Sequence, residues 1–140
     1  MNLPRNDSEL SEIFKTARVP RAQEFHGEYL VDMLTVLPSL KKYSHRKVFY
    51  TEHNTVKGYN ILFQKKIWGH FFLEHGTYED EDSLEVLVIN YARKENRFFS
   101  YRMIDYVRCV ENDTLYLGRF NYILFGKPRF LGYFTLLKVR

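Results

Sequence analysis

From Phe25 onward, β-branched and aromatic residues recur with a period of two, and the breaks between these runs are too short to hold a crossover helix. The runs fall near 28–36, 44–53, 57–64, 68–75, 83–92, 99–111, 114–124 and 129–139, which reads as eight strands. The connections are Leu37-Pro38-Ser39, Asn54-Thr55, Lys65-Lys66, the acidic run Glu79-Asp80-Glu81-Asp82, Arg93 to Arg97, Asn112-Asp113 and Gly126-Lys127-Pro128. Parallel neighbours need a crossover of about a dozen residues or more, so βαβ units are excluded and the sheet is an antiparallel meander. A meander of this length leaves two long unpaired edges unless it closes on itself. The expected fold class is therefore all-β, an eight-stranded antiparallel up-and-down barrel, wide enough for one small ligand.

A short helix precedes the barrel. Leu10, Ile13, Phe14 and Ala17 share one face, Asp7 or Ser8 can cap it, Glu9 and Glu12 suit its positive end, and Pro20 stops it. The 140 residues fit one domain, 1–24 as the N-terminal helical segment and 25–140 as the barrel. The lone Cys109 and the polar, acid-bearing first twenty residues indicate a reducing compartment with no export signal, hence the cytoplasm. No run approaches the roughly 20 apolar residues of a membrane helix. A formal charge of +4 is too small to demand a nucleic-acid or membrane partner. The anomaly is aromatic content, with 12 Phe and 11 Tyr against one Trp.

Side-chain parity can be read from the last three strands. With Asn112-Asp113 and Gly126-Lys127 as two-residue turns, Tyr106 faces Arg119, and two faces separate. One carries Arg102, Arg108, Arg119 and Lys138 with Tyr106 and Asn121. The other carries Tyr101, Asp105, Cys109, Tyr116, Tyr122 and Tyr133, with one charge only. The cost of burying unpaired charge turns the second face inward. Tyr29 and Tyr59 also read as inward, while His70 and Asn90 sit on strands apolar on both faces. Such strands imply outside cover by the N-terminal helix or by a second copy in a homodimer. Buried tyrosines bring hydroxyls that need partners, so a lumen lined by them suits an amphipathic guest.

The chain resembles the lipocalin-type members of the calycin group. A short helical segment is followed by a strand opening Gly27-Glu28-Tyr29, where lipocalins carry Gly-x-Trp; Asp105-Tyr106 and Leu117-Gly118-Arg119 are similar to further short motifs of that family. Tyr29 stands in place of the tryptophan, and a whole strand follows Gly118-Arg119. The resemblance implies the barrel and, by analogy, ligand binding.

The expected function is binding of a small, largely apolar or amphipathic ligand, with Tyr29, Tyr59, His70, Asn90, Tyr101, Asp105, Tyr116, Tyr122 and Tyr133 around it. The alternative is an isomerase, cyclase or lyase in which Asp105 is the acid/base; the plain reading of Asp105 is a structural carboxylate bonded to tyrosines. Arg108, Arg119 and Asn121 would form an anion site if the parity were reversed, and otherwise a solvated basic face. Lys41, Lys42, Arg46, Lys47, Lys65 and Lys66 among aromatics permit a third, weaker reading as a nucleic-acid surface. Histidine and cysteine spacing signals no metal site, and no residue pattern selects a cofactor, haem included.

Overall fold

The computed structural model describes residues 3–35, 45–63, 65–78 and 84–139, apart from the side chain of Phe98. The expected turn at Leu37-Pro38-Ser39, the acidic run 79–82, and Lys41 and Lys42 lie outside the described residues. Helix α1 (Asp7–Thr16) and a 3-10 turn at Ala22–Glu24 precede strands β1 (Gly27–Met33), β2 (His45–Glu52), β3 (Thr55–Leu62), β4 (Lys66–Tyr78) and β5 (Leu84–Asn90). A one-turn helix α2 (Phe98–Tyr101) leads into β6 (Met103–Glu111), β7 (Leu115–Leu124) and β8 (Lys127–Lys138). Each strand pairs antiparallel with the next, and β1 pairs with β8, closing the eight-stranded barrel in up-and-down order. Closure pairs every edge, the physical requirement the short connections had set.

The body of the β6–β7 hairpin has the expected register, Tyr106 opposite Arg119. Its turn is one residue longer than a two-residue loop, and a bulge between Cys109 and Glu111 absorbs the extra residue. The lumen face of these strands is Met103, Asp105, Val107 and Cys109 with Tyr116, Gly118, Phe120 and Tyr122. Strand β8 is inverted from expectation. Its turn is Phe125-Gly126, both at positive φ, which pairs Leu124 with Lys127, and a bulge between Phe120 and Asn121 shifts the register again. Tyr133 then lies opposite Arg119 on the outside, and Phe134 and Leu136 fill the lumen.

Helix α1 is capped by Asn6, not Asp7 or Ser8; the Asn6 Oδ1 accepts the Glu9 N–H at 2.9 Å. Its apolar stripe, Leu10 and Phe14, is fully buried against Tyr78, Val86, Val88, Tyr106, Leu117 and Tyr133 on the barrel's outside. That cover explains the two-sided apolar character of β5. It also buries Arg119, whose guanidinium stacks 4.2 Å from the Tyr78 ring and 4.8 Å from Phe130, and Arg108 beside it. The arginine-bearing face points away from the lumen, as charge counting required, but Arg108 and Arg119 on it are buried and form no solvated basic face, while Arg102 is exposed.

Candidate functional site

The two ends of the lumen differ. At one end the chain enters β1 through the 3-10 turn, and Phe25 drops into the barrel against Tyr116 (4.5 Å between ring centroids), Phe49 (5.1 Å) and Tyr29 (5.5 Å). Arg18 pairs backbone to backbone with Cys109 and donates to both oxygens of Glu24 at 2.8 Å, and the Tyr116 hydroxyl donates to Glu24 Oε1 at 3.2 Å. Arg18 holds the Glu24 carboxyl down at about 2, and burial pushes the Tyr29 phenol up to about 12. This end is a plug.

Toward the other end, a cavity of about 570 Å³ lies among Val31, Met33, Trp68, Met103, Phe120 and Phe134. That size is ordinary for a small-molecule site. Its polar feature is a cluster around Lys47. Strand β2 carries Lys47 opposite Tyr29 on one side and opposite Asn60 on the other, so both neighbours fix it on the lumen face. Lys47 Nζ donates to Asn60 Oδ1 at 2.7 Å and to the Tyr91 hydroxyl at 2.5 Å, and lies 3.9 Å from Asp105 Oδ2. The Tyr91 hydroxyl in turn donates to Asp105 Oδ2 at 3.4 Å. Asn60 also donates to the carbonyl of Gly69 at 2.9 Å, and its Oδ1 is 2.7 Å from His45 Nε2. Gly69 sits at φ +60, and a Cβ there would meet Asn60 Nδ2 at 2.9 Å, so glycine both permits the local bend of β4 and leaves room for the amide.

Rings of Tyr91, Phe71 and Phe134 lie 5.2 to 5.8 Å from Lys47 Nζ. Removal from water brings the Lys47 ammonium down to about 8 and the Asp105 carboxyl up to about 7, each opposed by attraction to the other. Desolvation brings His45 down to about 4, so its imidazole is neutral. Among the described residues, Asp105 Oδ1 and Trp68 Nε1 are buried polar atoms with no hydrogen-bond partner. Both belong to residues lining the cavity. A proton acceptor and a proton donor thus stand unmatched in a largely apolar space, next to a pair whose proton can move near neutrality.

Of the residues expected around a ligand, Asp105 lines this cavity. Tyr29, Tyr116 and Tyr122 face the lumen, the first two within the plug and Tyr122 against Phe99 at the open end. Others do not converge. Tyr59 and His70 pack against each other, tilted, on the outside, because β3 turns Asn60 inward, where Lys47, His45 and Gly69 satisfy its amide. Asn90 is also outside, donating to Glu74 at 2.7 Å. Tyr101 ends α2 half exposed, since β6 begins only at Met103. Tyr133 packs under α1. Arg108 and Arg119 are outside the barrel and Asn121 is buried at the β7 bulge, so they form no lumen anion site. The nucleic-acid reading loses coherence too: Lys47 is inside, and Arg46 bridges to Glu28 at 2.9 Å.

Lys47, Asn60, Trp68 and Tyr91 were missed by sequence reasoning, although a signal existed. With His53-Asn54 as the β2–β3 turn, both at positive φ, charge counting puts Arg46 and Lys57 on one face and Lys47 alone on the other.

No protein-family model matches the chain, and no curated protein matches it. A crystal structure of a protein from Thermomonospora curvata is similar in fold, with a TM-score of 0.65 at 15% identity, covering 96% of this chain and 88% of that one. The likeness extends over the whole barrel and is one of architecture, a closed barrel compatible with ligand binding.

Proposed function

We propose that the barrel binds one small, largely apolar molecule whose hydroxyl-type end is received by Asp105 and Trp68. The observation that carries this is the unpartnered pair of buried polar atoms, Asp105 Oδ1 and Trp68 Nε1, in a largely apolar cavity whose other polar lining residues, His45, Lys47 and Tyr91, are already hydrogen-bonded. Leaving such atoms unmatched costs about 1–3 kcal/mol each, which a guest with a matching donor and acceptor recovers. A neutral head suits the site better than an ionised one: Lys47 repels an ammonium, and Asp105 repels a carboxylate.

Trp68 is the chain's single tryptophan, so its fluorescence reports the cavity directly. Titration with dodecanol is expected to give a saturable change, with dodecylamine much weaker. Absence of any saturable change with dodecanol would end the reading. Asp105→Asn keeps a carbonyl acceptor and should hold dodecanol affinity within about tenfold, whereas Asp105→Leu should weaken it by about tenfold to a hundredfold.

A second reading rests on the Lys47–Asp105 pair, whose protonation states exchange close to neutral pH. An enzyme using that pair as acid/base would keep its substrate affinity in Asp105→Asn and lose turnover by about 10²–10⁴-fold.

A further inference from the structure

Exposed large apolar side chains are concentrated at the cavity's mouth. Phe63 sits in the β3–β4 turn, Ile67 at the start of β4, Phe99 on α2, and Leu124 and Phe125 at the β7–β8 turn. In an up-and-down barrel these connections all lie at one end, and Phe63 and Phe99 themselves line the cavity. Phe125 is 93% exposed. Both Phe63 and Phe125 also have positive φ (55° and 51°), a conformation that costs a bulky residue and that Gly or Asn would adopt more easily. At Phe125 neither exposure nor backbone favours phenylalanine in an isolated barrel, which points to a contact for that ring outside the chain.

The exposed charge around them is predominantly positive. Exposed Lys65, Lys66, Lys94, Arg97 and Lys127 stand in or beside these same turns, with Glu95 as the opposing acid. At the plugged end the described turns, His53-Asn54 and Asn112 to Thr114, are flanked by Glu52 and Glu111 and contain Asp113. The described turns of the two ends thus differ in charge, basic at the mouth and acidic at the plug, although Arg18, Lys57 and Lys138 also stand toward the plugged end. Exposed aromatic tips interleaved with lysines fit an interface that is apolar beneath and negatively charged at its surface.

We propose that the open end docks on an anionic lipid bilayer, mouth down, so that the cavity exchanges its guest with the membrane. This rests on the cavity reading above for the guest, and on the rim alone for the docking. Phenylalanine tips would enter the acyl boundary while the lysines meet lipid phosphates.

Co-sedimentation of the full chain with vesicles of phosphatidylcholine alone, and of an equimolar mixture with phosphatidylglycerol, tests it. The protein should pellet with the mixed vesicles, hardly at all with the neutral ones, and progressively less as salt rises. Phe125 and Lys127 do not line the cavity, and Phe125→Ser and Lys127→Glu should each weaken vesicle binding by about tenfold or more. Both should leave the dodecanol-induced change in Trp68 fluorescence, measured without vesicles, as in the parent. Equal binding to both vesicle types, or insensitivity to both substitutions, overturns the docking surface. So does preference for a single-stranded RNA oligonucleotide over the mixed vesicles. If vesicles fail while dodecanol still binds, the docking falls and the cavity reading stands; if dodecanol fails while vesicles bind, the reverse holds.

Discussion

The two halves of the lumen use the same materials to opposite ends. Around Phe25, Tyr29, Phe49 and Tyr116, rings meet each other and fill the tube. Around Lys47, the rings of Phe71, Tyr91 and Phe134 are held back by a polar cluster, and a cavity opens beyond them. Two glycines help set the contrast. A Cβ at Gly58 would meet the tip of the Phe71 ring at 2.4 Å and one at Gly118 would meet that of Phe134 at 2.2 Å, so both rings press against bare backbone, where any other residue would displace them. Aromatic content alone does not decide whether a barrel is a core or a container; the segment that crosses one end does. The sharpest way to break the contrast is to empty the plug. Phe25→Ala should cost about 3–5 kcal/mol in urea unfolding, because a fully buried ring leaves a hole that its neighbours cannot close. Ile67→Ala at the open rim should cost under about 1 kcal/mol in the same assay. Equal losses would mean that the two ends are not differently packed.

This contrast was only half legible in the sequence. Short connections dictate closure whatever the side chains are, so the barrel follows from spacing alone. Charge counting reads β6 and β7 well, because Arg108 and Arg119 are outside and the hydrocarbon is inside. It fails at β8, where the register depends on whether the turn is Phe125-Gly126 or Gly126-Lys127 and on a bulge that no spacing reveals. It fails again at Lys47, because the rule treats a lysine as a marker of solvent. The barrel solvates this lysine with Asn60, Tyr91 and Asp105, which come from β3, the segment after β5, and β6. No local pattern can show a partner set drawn from three places in the chain.

The pair itself gives the next test. Asp105 binds its proton more tightly folded than unfolded, so from the ordinary value of 3.8 up to about 7 stability falls as pH rises. Lys47 binds its proton less tightly folded, so between about 8 and 10.5 stability rises with pH. These two groups therefore place a trough between about pH 7 and 8; His45, neutral when folded, adds a separate rise between about 4 and 6.5. Lys47→Met strands the carboxylate and should cost about 3–5 kcal/mol at pH 8, and less at pH 5, where Asp105 can take up a proton instead. Replacing both, as Lys47→Met with Asp105→Leu, should flatten the trough and recover most of the loss. A single variant as costly at pH 5 as at pH 8 would show that packing, not charge, explains Lys47.

The smallest expected effect isolates the plug's electrostatics from its rings. Glu24 is held low by Arg18, so its contribution is present above its ordinary value of 4.5 and is lost as pH falls toward about 2. Arg18 is 43% exposed, and water screens part of that attraction, which keeps the contribution near 1 kcal/mol. Glu24→Gln should therefore lower stability by about 1 kcal/mol at pH 7, with the difference from the parent shrinking below pH 4.5. The dodecanol response of Trp68 should not change, since Glu24, Arg18 and Tyr116 lie at the opposite end from the cavity. A shift in that response would mean that the plug and the container are coupled through the shared β7 wall, and that the two halves act as one site.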